Sequence, residues 1–457
     1  MRSMVDQMTP RWQWSFVTCA NLVISTVAYA QPPLTIDSAV AQALIHNVGM
    51  AQTRATVAGK QEDLRAAQLM DRPTVGVELT ALRGSGEPTS FSAVNGQSDP
   101  NAPAIKPITG NYGAGTLVLR APIFQNGAFF FQESPAESMA NGNLLKARSD
   151  ADTQAVELSN QVAKAYLSAL SAVEQLSLQQ SAAEKLRQRL EIVHVRVRGG
   201  LSSVADELST KAALAEKNSD LNAARRSNSL LLMQLSLALG QEQNSKIEIT
   251  PVTTDFPYAP AIEETLKNTL DAHPALQSQM ANLRVAKSVL DSQRAENSPK
   301  VVFDITRTEA GNFYDTGTNQ FVSAGVKLSM PLLDFGQGNA KIRARSYEVQ
   351  ESEQKTLQTR TTIIQNAYQA YYAYQDAVDK FEAGKATLDR VEFQERGSAA
   401  KRAKRMIGLE TLLQDEASAL TARVNQVKLR YEAWIAWTDF VKSLGRPYSS
   451  NLFAGRP

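Results

Sequence analysis

The chain has 457 residues, a formal net charge of +2 and one cysteine, Cys19. A charge so close to balance provides no field that favours nucleic acid, and a single cysteine rules out a disulfide framework. No run of about 18 apolar residues follows position 30, so we expect no transmembrane helix.

The first 30 residues have the organisation of a secretory signal peptide. Arg2 and Arg11 precede an apolar stretch at 12–27, and the small-x-small sequence Ala-Tyr-Ala ends at Ala30. Cleavage after Ala30 would remove Cys19, so the mature chain would contain no cysteine. Lipid attachment at Cys19 is the lesser alternative, because the threonine before it is bulkier than the residue usual in a lipoprotein signal.

The remainder of the chain repeats one pattern twice. Helix, strand, strand, long helix, Gly-Leu turn and helix follow one another in residues 31–258 and again in residues 259–445, before a tail at 446–457. The spacing between matching landmarks falls along the chain: 226 positions for Pro73 and Pro299, 209 for Pro122 and Pro331, 208 for Gly200 and Gly408, and 205 for the sequences LALG and KSLG. This drift indicates an old duplication whose halves differ in loop length.

Four short segments alternate between apolar and polar residues. They are TVGVELTAL, TLVLRAP, VVFDIT and AGVKLSMP, which begin at residues 74, 116, 301 and 324. One face of each is apolar, and the other contains one charged residue: Glu78, Arg120, Asp304 or Lys327. The pattern fits membrane strands with lipid outside and water inside a barrel lumen, and it fits a half-buried soluble sheet equally well.

Long helical stretches favour the first of these two interpretations. Residues 135–198 and 339–406 have apolar side chains at spacings of three and four, as in a seam between packed helices. At 1.5 Å per residue each would extend on the order of 95–100 Å. Shorter helices are predicted at 35–70, 201–239, 260–297 and 409–444, and two of them placed end to end equal a long one. We therefore predict the wall of a tube.

No catalytic, cofactor or metal site is expected. The chain has no His-Glu-x-x-His, no glycine-rich phosphate loop and no nucleophile elbow. Its three histidines, His46, His194 and His273, are far apart in sequence.

Four strands in one chain cannot close a barrel. An open sheet edge in lipid leaves backbone groups unsatisfied at several kcal/mol each, so other chains must complete the sheet. Two copies would supply eight strands and a bore filled by side chains, whereas three would supply twelve strands and leave a water channel.

The sequence PLLDFGQGNAKIRAR, the AL…HP.L segment and the Gly-Leu turns, in this order, resemble the TolC-like outer-membrane efflux protein family over about 35–445. The resemblance implies an α+β membrane protein and a homotrimer, in which four strands per chain form a twelve-stranded barrel in outer-membrane lipid of a Gram-negative bacterium. A long periplasmic α-helical barrel continues it.

The same resemblance implies the exit duct of a tripartite export system, with a periplasmic adaptor and an inner-membrane transporter as partners. Efflux of small molecules is favoured. A channel for type I protein secretion is the alternative, and a soluble periplasmic coiled-coil scaffold is a remote one.

The two Gly-Leu turns lie far in sequence from the strands. A left-handed glycine would end one helix there and allow the next to begin. The resemblance implies that this periplasmic tip contacts the adaptor through Gly200, Leu201, Ser202, Gly408, Leu409 and Glu410. A hairpin turn with no further role is the simpler interpretation.

The family often places an aspartate six residues beyond the turn glycine, where it narrows the pore entrance. Asp206 matches in the first repeat, whereas the second has Gln414, followed by Asp415 and Glu416. Which acidic residue faces the pore stays open, and solvated charge on a helix face is the alternative. Basic residues near the turns, Arg189 among them, are expected to be mostly solvated, with a minority in ionic links that hold the entrance closed.

Overall fold

A computed structural model describes residues 34–86, 108–130, 132–241, 249–252, 255–312, 318–404 and 406–449. The predicted signal peptide, Cys19, most of the loop between the first two strands and most of the C-terminal tail lie outside these residues.

Eight helices make up most of the described chain. Their bounds are α1 Ile36–His46, α2 Val48–Leu69, α3 Pro135–Arg198, α4 Val204–Ala238, α5 Ile262–Thr269, α6 Pro274–Glu296, α7 Gln337–Ala403 and α8 Leu409–Ser443. Helices α3 and α7 have 64 and 67 residues, so each extends roughly 95–100 Å at 1.5 Å per residue. The two long helices predicted from the sequence are confirmed. None of the helices in the described ranges combines the length and hydrophobicity needed to cross a bilayer.

The predictions of single helices at 35–70 and 260–297 are wrong, because each stretch is broken once. Asn47 separates α1 from α2 with extended dihedrals of φ −65° and ψ 133°. His273 precedes α6 with φ −65° and ψ 124°, and Pro274 is the first residue of that helix. A proline disfavours helical dihedrals in the residue before it, which accounts for the second break.

One antiparallel sheet lies at one end of the helices. Its main strands are β1 Thr74–Gly86, β2 Ile108–Gln125, β4 Lys300–Asn312 and β5 Thr318–Ser329, in the order β1-β2-β4-β5. The four predicted strands are confirmed and are longer than the predicted segments. The prediction missed β3, Ala128–Phe129, which folds back on the end of β2 through a turn in which Asn126 and Gly127 both have positive φ.

The apolar face of the sheet is exposed in the single chain. Val77 is 68% exposed, Leu79 82% and Val326 63%. A half-buried soluble sheet would pack these side chains against a core, and here no residue within the described ranges covers them. The exposed face therefore favours lipid over a protein layer as its environment.

The main hydrophobic core lies midway along the helices, where α1, α3 and α8 meet. Its largest fully buried side chains include Tyr166 of α3 and Phe440 of α8. The Tyr166 hydroxyl lies 2.6 Å from the carbonyl oxygen of Leu34 and accepts a hydrogen bond from the Thr250 amide at 3.0 Å. Tyr374, 208 positions after Tyr166, donates to the carbonyl of Pro257 at 2.6 Å. These two tyrosines hold the segment that joins the two repeats against the long helices.

Candidate functional site

The turn between α3 and α4 is a helix stop that depends on a glycine. Gly200 has φ +68°, the left-handed conformation. The Leu201 amide donates to the Arg196 carbonyl at 2.8 Å, and the Gly200 amide donates to Val197 at 3.1 Å, which together form a Schellman motif. The predicted left-handed glycine is confirmed here.

The turn between α7 and α8 is built differently. Gly408 has φ −70° and ψ 162°, so the prediction of a left-handed Gly408 is wrong. This glycine is the N-cap of α8. Helices α4 and α8 both have 35 residues, and both their ends are 205 positions apart. Gly408 is therefore the equivalent of Ser203, the N-cap of α4, and the 208-position match of the two Gly-Leu pairs joins non-equivalent residues.

Exposed apolar side chains surround the two turns. Leu201 is 79% exposed, Met406 68% and Val204 62%. Leu409 is only 6% exposed, so its side chain does not lie on the tip surface as expected. Of the other predicted contact residues, Gly200, Gly408 and Glu410 are exposed and Ser202 is half-buried. Val204 and Met406, which the sequence analysis did not select, belong to the same exposed surface.

Asp206 stabilises the start of α4. Its carboxylate accepts a hydrogen bond from the Ser202 hydroxyl at 2.8 Å and from the Ser203 amide at 3.4 Å. The Ser203 hydroxyl in turn accepts from the Asp206 amide at 3.1 Å, which completes a capping box. The hydrogen bond from Ser202 is the main reason that the pKa of Asp206 is lowered, so this carboxylate stays charged at neutral pH.

Two of the other predicted entrance residues, Asp415 and Glu416, have partners on other helices. Asp415 on α8 accepts hydrogen bonds from Gln394 at 2.8 Å and Ser398 at 2.5 Å, both on α7. Glu416 forms a two-pronged ion pair with Arg189 on α3. Gln414 is exposed on α8. The structure thus distributes the acidic residues over separate local contacts instead of gathering them in one cluster within the chain.

Ionic contacts connect the two helical hairpins along their length. Besides Arg189 and Glu416, Arg430 of α8 pairs with Glu174 of α3, and the Tyr431 hydroxyl donates to Glu174 at 2.8 Å. This hydrogen bond and burial raise the pKa of Tyr431, burial being the larger cause. A cleft of about 800 Å³ lies between the hairpins, lined by residues that include Lys185, Glu216, Gln414 and Arg423.

The four charged strand residues share one face of the sheet. Arg120 lies in register with Asp304, and their side chains form an ion pair at 3.0 Å. The register also places Glu78 and Lys327 on that face, one on each outer strand. Thr116 and Thr308 hydrogen bond across the same face at 3.2 Å. The predicted sharing of one face by these four residues is confirmed.

Comparison with known proteins identifies the family. The sequence profile described as "Outer membrane efflux protein" matches residues 39–241 and 265–446. The chain belongs to the outer membrane efflux protein family. It is a TolC-like outer-membrane channel protein that extends into the periplasm, so the resemblance and the location predicted from the sequence are confirmed.

Individual proteins resemble this efflux protein in sequence or in fold. Protein CyaE of Bordetella pertussis is 24% identical over 403 residues, which cover 86% of this chain and 80% of CyaE. The Campylobacter jejuni CmeC outer membrane channel superposes with a TM-score of 0.74 at 13% identity, over 90% of this chain and 85% of that one. VceC of Vibrio cholerae superposes with a TM-score of 0.71 at 16% identity, over 90% and 96% of the two chains.

Proposed function

We propose that three copies of this protein form the exit duct of a tripartite export system. The observation that supports it best is the four-stranded sheet, which has two open edges and an apolar face left uncovered by the part of the chain that the structure describes. Open edges in lipid must be paired, and twelve strands are the smallest multiple of four that encloses a water channel. Helices of roughly 95–100 Å then continue the duct into the periplasm.

The tip of the helices is the proposed contact for a periplasmic adaptor. Leu201, Val204 and Met406 expose apolar surface beside the charged residue Glu410. An exposed apolar group at the end of a long helical cylinder, far from the lipid-facing strands, fits a site for another protein. An inner-membrane transporter would deliver substrate through that adaptor.

The entrance is proposed to be held closed by contacts between the hairpins. The pair formed by Arg189 and Glu416 connects α3 with α8, and a binding partner that moves these two helices apart would break it. Among the described residues, neither Asp206 nor Asp415 forms an ion pair, although the charge of Arg402 helps to lower the pKa of Asp206, whereas Glu416 is paired with Arg189. In a trimer, Asp206 and Asp415 would therefore contribute rings of negative charge near the entrance.

Planar-bilayer recording tests this channel directly. We expect a small conductance that favours cations, because rings of carboxylates lower the local potential. Divalent or trivalent cations added on the periplasmic side should reduce it. An anion-selective channel, or one unaffected by replacing Asp206 and Asp415 with asparagine, would contradict the proposed placement of these carboxylates.

Small molecules are the proposed cargo, in keeping with the efflux family. Deletion of the gene should increase accumulation of fluorescent efflux substrates in the host cell, and the wild-type gene should reverse the effect. Unchanged dye accumulation together with loss of a large protein from the culture medium would instead assign the duct to protein secretion.

A further inference from the structure

The two outer strands of the sheet each carry an unpaired charge on the polar face. Glu78 on β1 and Lys327 on β5 are exposed, and neither has an ion-pair partner in the part of the chain that the structure describes. The charges between them, Arg120 and Asp304, pair with each other. The sheet therefore ends in a negative charge at one open edge and a positive charge at the other.

The two edges are also staggered. One row of the sheet runs through Thr74, Arg120, Asp304 and Gly325. Above that row, on the side of the loops, β1 continues for twelve residues to Gly86, whereas β5 continues for only seven, to Thr318. Below it, on the side of the helices, β1 ends at the row itself and β5 continues four residues further, to Ser329. Both ends show that β5 is displaced by four to five residues toward the helices.

This stagger restricts how a neighbouring copy can pair. Copies related by threefold symmetry lie at the same depth, so β5 must meet the next β1 with a shift close to its own displacement. The shift must be an even number, since an odd one would turn the apolar face of one copy inward. Shifts are counted from the register in which Gly325 would face Thr74 of the next copy. A shift of four therefore places Gly325 opposite Glu78, and a shift of six places Lys327 opposite Glu78. Over twelve strands these two shifts correspond to a strand tilt of about 35–45°, the range found in membrane barrels.

Both permitted registers bring the two unpaired charges together. In one they are diagonal neighbours and in the other they face each other directly, at Cβ separations of about 5–8 Å. Lysine and glutamate side chains span either separation. We infer that Lys327 of each copy forms an ion pair with Glu78 of the partner subunit, so that three such pairs line the lumen at the three subunit seams.

The pairs favour the registers in which the seam can close. An ion pair in a water-filled lumen adds little stability, but a shift of two or less separates the two charges by four or more positions along the strands and leaves both without a partner. This inference rests on the proposed trimer, and its test must distinguish failure of the pair from failure of the trimer.

Disulfide cross-linking tests the contact. A disulfide requires residues that face each other directly, so each permitted register has its own variant: Glu78→Cys with Lys327→Cys for a shift of six, and Glu78→Cys with Gly325→Cys for a shift of four. Both are made in a Cys19→Ser background, which contains no other cysteine. Oxidation of the detergent-solubilised protein should, in one of the two variants, link each copy to both neighbours and give a covalent trimer that reducing agent converts to monomer. The matched control with Asp304→Cys and Gly325→Cys should lose its thiols and run as a monomer after denaturation, because those residues pair within one chain.

A second control separates the two faces of the sheet. Val77→Cys with Lys327→Cys places the thiols on opposite faces and should give no link. A protein that has the mass of three copies in mild detergent, but in which both variants run as monomers after oxidation and denaturation, would overturn the ion pair and leave the proposed duct intact. A protein that is monomeric before oxidation would overturn both.

Charge reversal tests the ionic part of the contact. Glu78→Lys and Lys327→Glu should each lower the temperature at which the oligomer dissociates in detergent, and the double variant should restore it. If the dissociation temperature of the double variant falls by as much as the sum of the two single decreases, the two charges do not meet.

Discussion

Asn47 and His273, 226 positions apart, perform the same structural task in the two repeats. Each is the last residue before a helix begins again, and its side chain accepts a hydrogen bond from the backbone amide two residues later. The distance is 2.8 Å for Asn47 and 3.2 Å for His273. Each side chain also hydrogen bonds to the last residue of the final helix of its repeat, α4 in the first and α8 in the second. The Asn47 side chain donates to the Ala238 carbonyl at 3.2 Å, and the His273 ring hydrogen bonds to the backbone of Ser443, which lies 205 positions after Ala238.

The effect of a His273 substitution on stability should therefore depend on whether the new side chain can cap α6. His273→Ala removes the cap of α6 and should destabilise the protein by about 1 kcal/mol, whereas His273→Asn copies the first repeat and should retain most of the stability. Thermal dissociation of the oligomer in detergent measures the difference. An equal decrease in dissociation temperature in both variants would show that the histidine ring stabilises the protein by packing alone.

His273 should also make the stability of the protein depend on pH. Burial lowers the pKa of His273 below 6.5, so the folded protein favours the neutral ring, whose Nδ1 can accept the hydrogen bond at the cap. A lowered pKa contributes stability that is present above pH 6.5 and is lost as the pH falls through the folded-state value. We expect the dissociation temperature of wild type to fall more than that of His273→Asn between pH 7.5 and 5.5. Parallel pH curves would contradict this.

The two turn glycines should respond differently to substitution. Gly200→Val forces a β-branched residue into the left-handed region, at about 1–2 kcal/mol, and should abolish export while the oligomer still inserts in the membrane. Gly408→Ser supplies the N-cap that Ser203 provides in the first repeat and should retain export. Dye efflux from cells measures both. Loss of export in both variants would mean that the exposed backbone at Gly408 is itself required.

The contact between Arg189 and Glu416 offers a double-mutant test of the closed entrance. Arg189→Ala and Glu416→Ala should each increase single-channel conductance, because each removes one link between α3 and α8. The conductance of the double variant should not exceed that of the more conductive single variant, because all three variants lose the same ion pair. Lys185→Ala, which removes a positive charge near the cleft between the hairpins, serves as the matched control. Strictly additive effects would indicate that the residues act on the pore separately.

Most of the architecture could be predicted from the sequence, because length, periodicity and repetition determine it. The long helices and the strand faces follow from apolar spacing alone. The break at His273 is predictable from Pro274, and the 226-position offset between the repeats transfers it to Asn47. Matching sequence letters also paired Gly408 with Gly200, whereas the helix ends pair it with Ser203.

The tip could be predicted only in part, since its contacts join residues far apart in the chain. Nothing in the local pattern distinguishes a solvated Glu416 from one bound to Arg189, 227 positions away. The burial of Leu409 likewise depends on tertiary packing, and both facts require the fold.

The number of copies in the membrane form is the most direct test of the central claim. Native mass spectrometry of the protein released from mild detergent should give three times the mass of the mature chain, with the β-sheet signal in circular dichroism intact. Three copies give twelve strands and close the sheet around water. A uniform monomer that retains its full β-sheet signal would contradict the account, because one chain would then satisfy its own sheet edges.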